Sequence, residues 1–335
     1  MSAETAPTRS PVSILILAWN SAAHLPRCLA ALSLQTYKDF EIVIVDNGSK
    51  DDALNDLHER YPALQFRIHR LESNLGFSAA NNIGARLARG QWLTLLNADA
   101  FPEPDWLEHL LEAAKKYPDT FFTSRQIQAD DPSHLDGEGD VYHVSGLAWR
   151  RNYNSPVNQT IEQQEVFSAC GAAALFPRQA FLEAGGFDED YFSYHEDVDL
   201  GFRLRLRGLR CIFVPQAVVH HVGSASTGKK SSFAIYHGHR NLVWTFFKDM
   251  PSTLFWLYLP LHIAVNIFFL IYFTLNGQGR AIWRAKWDAL RGLPAVIKKR
   301  QSVQRGRKVS IRELHGAMSR NWLTPFITAL NRKNR

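Results

Sequence analysis

Residues 41–51, EIVIVDNGSKD, decide how the rest of the chain is read: four consecutive apolar β-branched residues run straight into Asp46-Asn47-Gly48-Ser49. A short apolar run without polar alternation suits a strand covered on both faces, and the residues after it suit a turn at its carboxyl end. Upstream, VSILIL (12–17) has the same character and ends in Ala18-Trp19-Asn20, with helical spacing from Ala22 to Leu34 in between. Downstream, a helix is expected from near Asp51, then strand QFRIHRL (65–71) and helix FSAANNIGARLAR (77–89). Strand WLTLLNAD (92–99) and helix PDWLEHLLEAAKK (104–116) complete the series. Strands alternating with helices imply an α/β fold with a mostly parallel central sheet, whose ligands bind beyond the carboxyl ends of the strands. Those ends are polar throughout: Trp19-Asn20, Asp46 to Ser49, Asn74-Leu75-Gly76-Phe77 and Asn97-Ala98-Asp99. Each alone is ordinary turn or cap chemistry; four in succession mark one binding edge.

Composition narrows the class. The 335 residues are 46% hydrophobic and 12% aromatic, enough for a packed core, which excludes disorder and coiled coil. Three well-separated cysteines, Cys28, Cys170 and Cys211, offer neither a disulfide framework nor zinc-ligand spacing, and fit a reducing compartment. The apolar run near the N-terminus is too short for a secretory signal, so the globule is expected to stay in the cytoplasm. Residues 1–228 carry 19 Lys and Arg against 29 Asp and Glu, a charge of −10, whereas 229–335 carry 19 against 3, a charge of +16. The basic part contains Ser252 to Leu275, 24 residues without a charge. About 20 such residues can span a bilayer. Pro260, His262 and Asn266 interrupt the run, and residues 276–310, with ten Lys and Arg and one acid, would lie on the same side as the globule. A re-entrant or in-plane helix reconciles these better than a span, with Arg280, Arg284, Lys286 and Arg291 gripping anionic headgroups. A buried core helix is the rival reading. Nucleic acid is not the expected partner of the tail.

Several chemistries can be set aside. No G-x-G-x-x-G follows an early strand, which argues against a dinucleotide enzyme. Gly223 to Lys229, GSASTGK, has phosphate-loop spacing but is followed by Lys230 where the magnesium-holding Ser or Thr belongs. Paired acids would also serve a glycoside hydrolase, which leaves the polar strand ends unexplained.

From Pro11 to Ser226 the chain resembles the inverting family 2 glycosyltransferases of the GT-A fold, in particular the bacterial rhamnosyltransferase-like branch. The likeness rests on VSILILAWN, EIVIVDNGSKD, NLGFSAANNIG, LLNADAFPEPDWL, the block from Ser168 to Gly208 containing SYHEDVDLGFRLRLRG, and VPQAVVHHVGSAST. It implies a nucleotide-diphosphate sugar donor (dTDP-L-rhamnose leading, UDP-sugars next), a divalent metal (Mg2+ or Mn2+) and a hydroxyl acceptor on a cell-surface or lipid-linked glycan. The GT-A domain it implies is 11–228 (donor half about 11–100, acceptor and catalytic half about 101–228), between a flexible N-terminus (1–10) and the membrane-associating helical region (229–335) read from its charge and apolar run. The expected place is the cytoplasmic face of the inner membrane, peripheral or monotopic.

By the resemblance, Ala18, Trp19, Asn20 and Asp46 contact the nucleoside, and Asn74, Gly76, Phe77 and Asn81 pack under the donor. Asn97-Ala98-Asp99 stands where the family carries its metal-binding Asp-x-Asp, with Asp99 on the metal and Asn97 facing the donor. His221, preferred over His220, is the second metal residue. The SACG segment with Cys170 and Gly171 resembles the floor under donor and acceptor. Asp197 is the expected general base and Glu196 orients the acceptor, although sequence leaves these two roles exchangeable. Residues from about Ala129 to Glu165 are the expected variable acceptor side. The rival from another class is a membrane-bound glycan-assembly or glycan-binding protein that kept the fold without chemistry. The hydrophobic tail is expected to be separable from the catalytic globule.

Overall fold

The computed structural model describes residues 11–157, 162–223 and 231–324. The expected flexible N-terminus and all of the phosphate-loop lookalike after Gly223 lie outside these residues. Strands β1 (Val12–Ala18), β2 (Phe40–Asp46), β3 (Phe66–Arg70) and β4 (Trp92–Asn97) form the parallel half of the sheet in the order β4-β1-β2-β3. Helices α1 (Leu25–Ser33) and α3 (Gly76–Leu87) are two of its crossovers. The helix expected from Asp51 shrinks to one turn, α2 (Leu57–Arg60). Asp51 is taken up instead in accepting the Ala22 N–H at 2.7 Å, and Asp56 adopts a left-handed conformation that blocks extension toward the N-terminus.

The second half is mixed. It comprises β5 (Ala100–Pro102), helix α4 (Trp106–Lys116), β6 (Thr120–Gln128), the short strands β7 (Leu135–Gly137), β8 (Asp140–Tyr142), β9 (Ala148–Arg150) and β10 (Gln164–Val166), then β11 (Ala173–Pro177). Helices α5 (Arg178–Glu183) and α6 (Glu196–Leu206) and strand β12 (Arg210–His221) follow. The full order is β10-β12-β6-β11-β4-β1-β2-β3, with β11 antiparallel to both neighbours. No crossover helix separates Ser168–Gly171 from β11, so the strand enters beside the carboxyl end of β4, Ala173 opposite Leu96, and must run backwards. That reversal delivers the Ser-Ala-Cys-Gly segment to the same edge as the polar strand ends. The register aligns them: Ala18 faces Asp46, Leu17 faces Asn97, and His221 faces Ala100.

One face of the sheet packs on α1 and α4 through Leu25, Leu29, Trp106 and Leu110, the other on α3, α5 and α6 through Ala80, Phe181, Leu200 and Leu204. The remaining helices are α7 (Ser232–Asp249), α8 (Ser252–Phe273), α9 (Gly279–Arg305) and α10 (Ile311–Ala317). Phe246, Met250, Leu254, Leu314 and Met318 close over Tyr142, Phe167, Val198 and Phe202, so residues on both sides of position 228 share a core. This shared core weighs against the separability expected of the tail. Its uncharged run is helical but packs through its polar interruptions, where His262 meets the Ser145 carbonyl at 2.7 Å and stacks on Phe246.

Asn276 and a left-handed Gly277 break α8 from α9 and fold them into an antiparallel hairpin, with Asn266 against Lys286 and Ser252 against Arg300. Among the described residues one helix, Ser252–Arg305 across that break, is long and apolar enough to cross a membrane, and only 17% of its apolar window is buried. It is not a buried core helix. Trp256, Ile263, Ile267 and Ile271 form an exposed stripe on α8, and Trp283, Trp287, Leu290 and Ile297 another on α9. One expected anchor is corrected: the Lys286 ammonium turns inward to the His239 carbonyl (2.9 Å) and Asn266 Oδ1 (2.5 Å), because a charge on that face finds protein acceptors rather than headgroups.

Candidate active site

At the carboxyl edge, β4 and β12 bring Asn97, Asp99 and His221 together. His221 is buried, with Nε2 3.3 Å from Asp99 Oδ1 and 3.5 Å from Asn97 Nδ2. Its Nδ1 lies 2.7 Å from Asp136 Oδ2, and Asp136 also pairs with Arg150. Burial opposes charge on both Asp99 and His221, yet their mutual contact and the Asp136 bond outweigh it, lowering the carboxyl pKa and raising that of the imidazole. With Nδ1–H donated to Asp136, Nε2 faces the Asp99 carboxylate, where either the second imidazole proton or, on a neutral ring, a cation can sit between them. A carboxylate and an imidazole oriented by an outer carboxylate suit a divalent metal. Among the described residues no group of three His, Cys, Asp or Glu side chains is placed to hold such an ion. His220 points elsewhere, to Glu103 at 2.7 Å.

The acidic pair stands at the start of α6. Asp197 Oδ2 accepts the Gly171 N–H at 3.1 Å, and Oδ1 accepts that of Val198 at 2.8 Å. Burial raises its pKa, while the two N–H groups and the Arg150 charge pull the other way. Glu196 is pushed up further, by burial and then by the Asp197 charge, and its buried Oε2 has no hydrogen-bond partner among the described residues. Asp199, the third acid, leaves the site: it bonds Arg203 at 2.7 and 2.9 Å and Lys248 at 2.5 Å inside the protein. A chain of contacts joins Asp197 to His221. Gly171 N–H meets Asp197, the next residue's carbonyl, Ala172, accepts the Asn97 N–H at 2.9 Å, and Asn97 meets His221.

The donor-side residues line the same edge but are partly engaged. Asp46 Oδ1 accepts the Ser49 N–H at 2.9 Å, which closes the turn after the strand. Asn20, left-handed at φ 48°, accepts the Lys50 N–H on Oδ1 at 2.9 Å and donates its backbone N–H to Ser49. Trp19 beside it is exposed, while Ala18 is buried in the strand. Asn74 accepts the Gly76 N–H and a bond from Asn47, whose own Oδ1 takes the Leu75 N–H. Asn81 is buried and bonded to the Phe77 carbonyl, so it shapes the helix rather than the cleft. A Cβ on Gly171 would stand 3.3 Å from Phe77 and 3.6 Å from Asp197, which places Phe77 beside the acidic pair. Cys170 is buried and its thiol pKa is pushed up to about 12 by burial, unsuited to a nucleophile.

Asp136, Asp140 and Arg150 fall within the expected acceptor side and Asn47 within the polar end of β2, but none carries a role of its own in the sequence; burial and the Asp197 charge push the Asp140 pKa upward, and its buried Oδ2 has no partner among the described residues. The alternating acids of LDGEGD (135–140) were the available signal.

Residues 13–185 match the family profile described as Glycosyl transferase family 2. The chain is 31% identical over 262 residues to an N-acetylglucosaminyl-diphospho-decaprenol L-rhamnosyltransferase of Mycobacterium tuberculosis, covering 71% of this chain and 84% of that protein. Among solved structures it superposes on the mannosyltransferase PcManGT of Pyrobaculum calidifontis with GDP-Man and Mn2+ (TM-score 0.54, 16% identity, 98% of this chain and 82% of that one). It also superposes on S. aureus TarS 1-349 with UDP-GlcNAc (TM-score 0.54, 15% identity, 88% and 90%). At these identities the structures show the GT-A fold.

Proposed function

The chain belongs to glycosyltransferase family 2, and from that membership we propose a specific chemistry for its site: transfer of L-rhamnose from dTDP-L-rhamnose to a hydroxyl of a lipid-linked glycan. That it is a hexosyltransferase using a nucleotide sugar follows from the family itself. The sugar and acceptor are suggested by the mycobacterial relative, and UDP-sugars are the second choice of donor.

The observation that carries the mechanism is the contact chain from Asp197 through Gly171, Ala172 and Asn97 to His221. It supports reading Asp197 as a base close to a cation-binding pair. Asp197 accepts the acceptor hydroxyl's proton as that oxygen attacks the anomeric carbon and the bond to the diphosphate breaks. Its two N–H bonds keep it the more easily ionised of the pair, and such a base contributes about 10²–10⁴ in rate. Glu196, held protonated by burial, donates to the acceptor and orients it. Asp99 and His221 would hold Mg2+ or Mn2+, which when bound neutralises the departing diphosphate. Phe77 and Gly171 exclude water below the sugar. Ala18, Trp19, Asn20, Asp46, Asn74, Gly76 and Asn97 frame the nucleotide side.

The exposed stripes of α8 and α9 lie in the plane of a membrane, on its cytoplasmic face, with Arg280, Arg284 and Arg291 toward anionic headgroups. This seats the site beside a lipid-borne acceptor. The test is a nucleotide-sugar panel with and without Mn2+, scored by metal-dependent release of the nucleotide diphosphate. Release confined to dTDP-L-rhamnose supports the reading, and release only from another donor replaces the sugar.

A further inference from the structure

The loop that delivers the acidic pair is fastened by a residue outside the sheet domain. Between Tyr191 and Glu196, Phe192, Tyr194 and His195 take left-handed angles of φ 65°, 68° and 68°. Such a path leaves carbonyls without regular partners and persists only where surrounding groups hold it. The carboxamide of Asn241, buried on α7, brings its two Nδ2 protons among the carbonyls of Tyr191 (3.1 Å), Ser193 (3.0 Å) and Tyr194 (2.7 Å), one proton being shared between two of them. Its orientation is set because Oδ1 accepts from Arg240 Nε at 2.9 Å. Arg240 Nη2 in turn holds the carbonyls of Asp190 and Tyr191 at 2.8 and 3.0 Å.

Helix α7 is itself seated by α9. Trp244 Nε1 donates to the Ala289 carbonyl at 3.0 Å, and Arg300 Nη1 donates to the Phe247 carbonyl at 2.8 Å. Lys299 reaches across to Asp190 at 2.7 Å.

We propose that Asn241 is a positioning residue for the catalytic carboxylate: by gathering the carbonyls of Tyr191, Ser193 and Tyr194 it sets where Glu196 and Asp197 enter the site, and so makes turnover depend on how the C-terminal helices are seated. This rests on Asp197 being the base. Donor-side groups on β1, β2 and β4 do not touch Asn241, and those at the head of α3 meet the loop only around Phe192, whose carbonyl Asn241 does not hold, so its loss is expected to act more on turnover than on nucleotide binding. A misplacement of about 1 Å at a reacting group can cost on the order of 10²-fold.

The experiment uses full-length Asn241→Ala and Arg240→Met, each checked for a wild-type-like circular dichroism spectrum, with dTDP-L-rhamnose as donor and dTDP binding measured in parallel. Asn241→Ala is expected to lower kcat about tenfold or more, with the Kd for dTDP within about threefold, and Arg240→Met to lower kcat less. Unchanged kcat, or an equal loss of dTDP affinity, overturns the proposal. If the alanine protein does not fold, the exposed-edge Arg240→Met decides: lowered kcat with unchanged dTDP Kd supports it, and unchanged kcat overturns it. An inactive wild type, or an active Asp197→Asn, would instead refute the reading of the site on which this depends.

Discussion

Asp197 and Asp136 carry the sharpest tests of single side chains. Because a general base must be ionised and burial raises the Asp197 pKa, kcat/KM should fall as pH drops through a value above the ordinary carboxylate range. A pH–rate profile checks this, and an acid limb at or below about 4, the ordinary Asp value, would count against Asp197. Asp197→Asn should lower kcat about 10²–10⁴-fold while leaving dTDP affinity near wild type. Asp136→Asn removes the group that orients His221, so the Mn2+ concentration for half-maximal activity should rise about 10–100-fold, with kcat at saturating metal nearly restored. A metal titration that does not move would show that His221 is not a ligand. Asp197, Asp99 and His221 were legible because each ends or begins an element with a recognisable pattern. Asp136 was not, since its role depends on β7 crossing behind a histidine 85 positions later in the chain.

Helix α3 and the α8–α9 hairpin can be tested as elements. At the head of α3, Gly76 has φ 87°, and a Cβ there would stand 2.5 Å from the Phe192 ring and 2.8 Å from the Phe192 carbonyl. Gly76→Ala should therefore cost about 1–3 kcal/mol in backbone strain alone and disturb the loop before the acidic pair, measurable as a lowered melting temperature together with lowered turnover. The hairpin's two surfaces predict two salt responses. Reversing Arg280, Arg284 and Arg291 to Glu should weaken binding to anionic vesicles at low salt, each residue having contributed about 1 kcal/mol. Ile263→Glu with Ile267→Glu should abolish the attachment that survives high salt. Vesicle co-sedimentation across a salt series separates the two, and salt-independent binding of the isoleucine variant would deny the stripe its role. The 24-residue length of the run was plain in sequence, whereas its inward and outward faces were not. His262 and Asn266 look like flaws in a lipid helix until the globule supplies their partners.

For the protein as a unit, ending the chain at Pro251 removes Leu254, Leu314 and Met318 from above Tyr142, Phe167 and Phe202. Each such side chain stabilises by about 1.5–3 kcal/mol when buried, a sum comparable with the 5–15 kcal/mol by which domains are stable. The truncated protein should lose its cooperative melt and its solubility, readable by differential scanning calorimetry. A soluble truncation with full turnover would show that the C-terminal helices are an attachment only.

The α/β series and the polar edge were determined by sequence alone, because strand runs, turn residues and helix starts are local patterns that repeat at short spacing, whereas the acid pair and Asp99 were singled out by the resemblance of their motifs to the family. The antiparallel insertion of β11, the Asp136–His221 pair, the inward Lys286 and the grip of Asn241 on residues 191–194 were decided by the folded arrangement. Each of these joins segments tens of residues apart, and which buried donor meets which distant acceptor is settled by packing and burial, not by spacing along the chain.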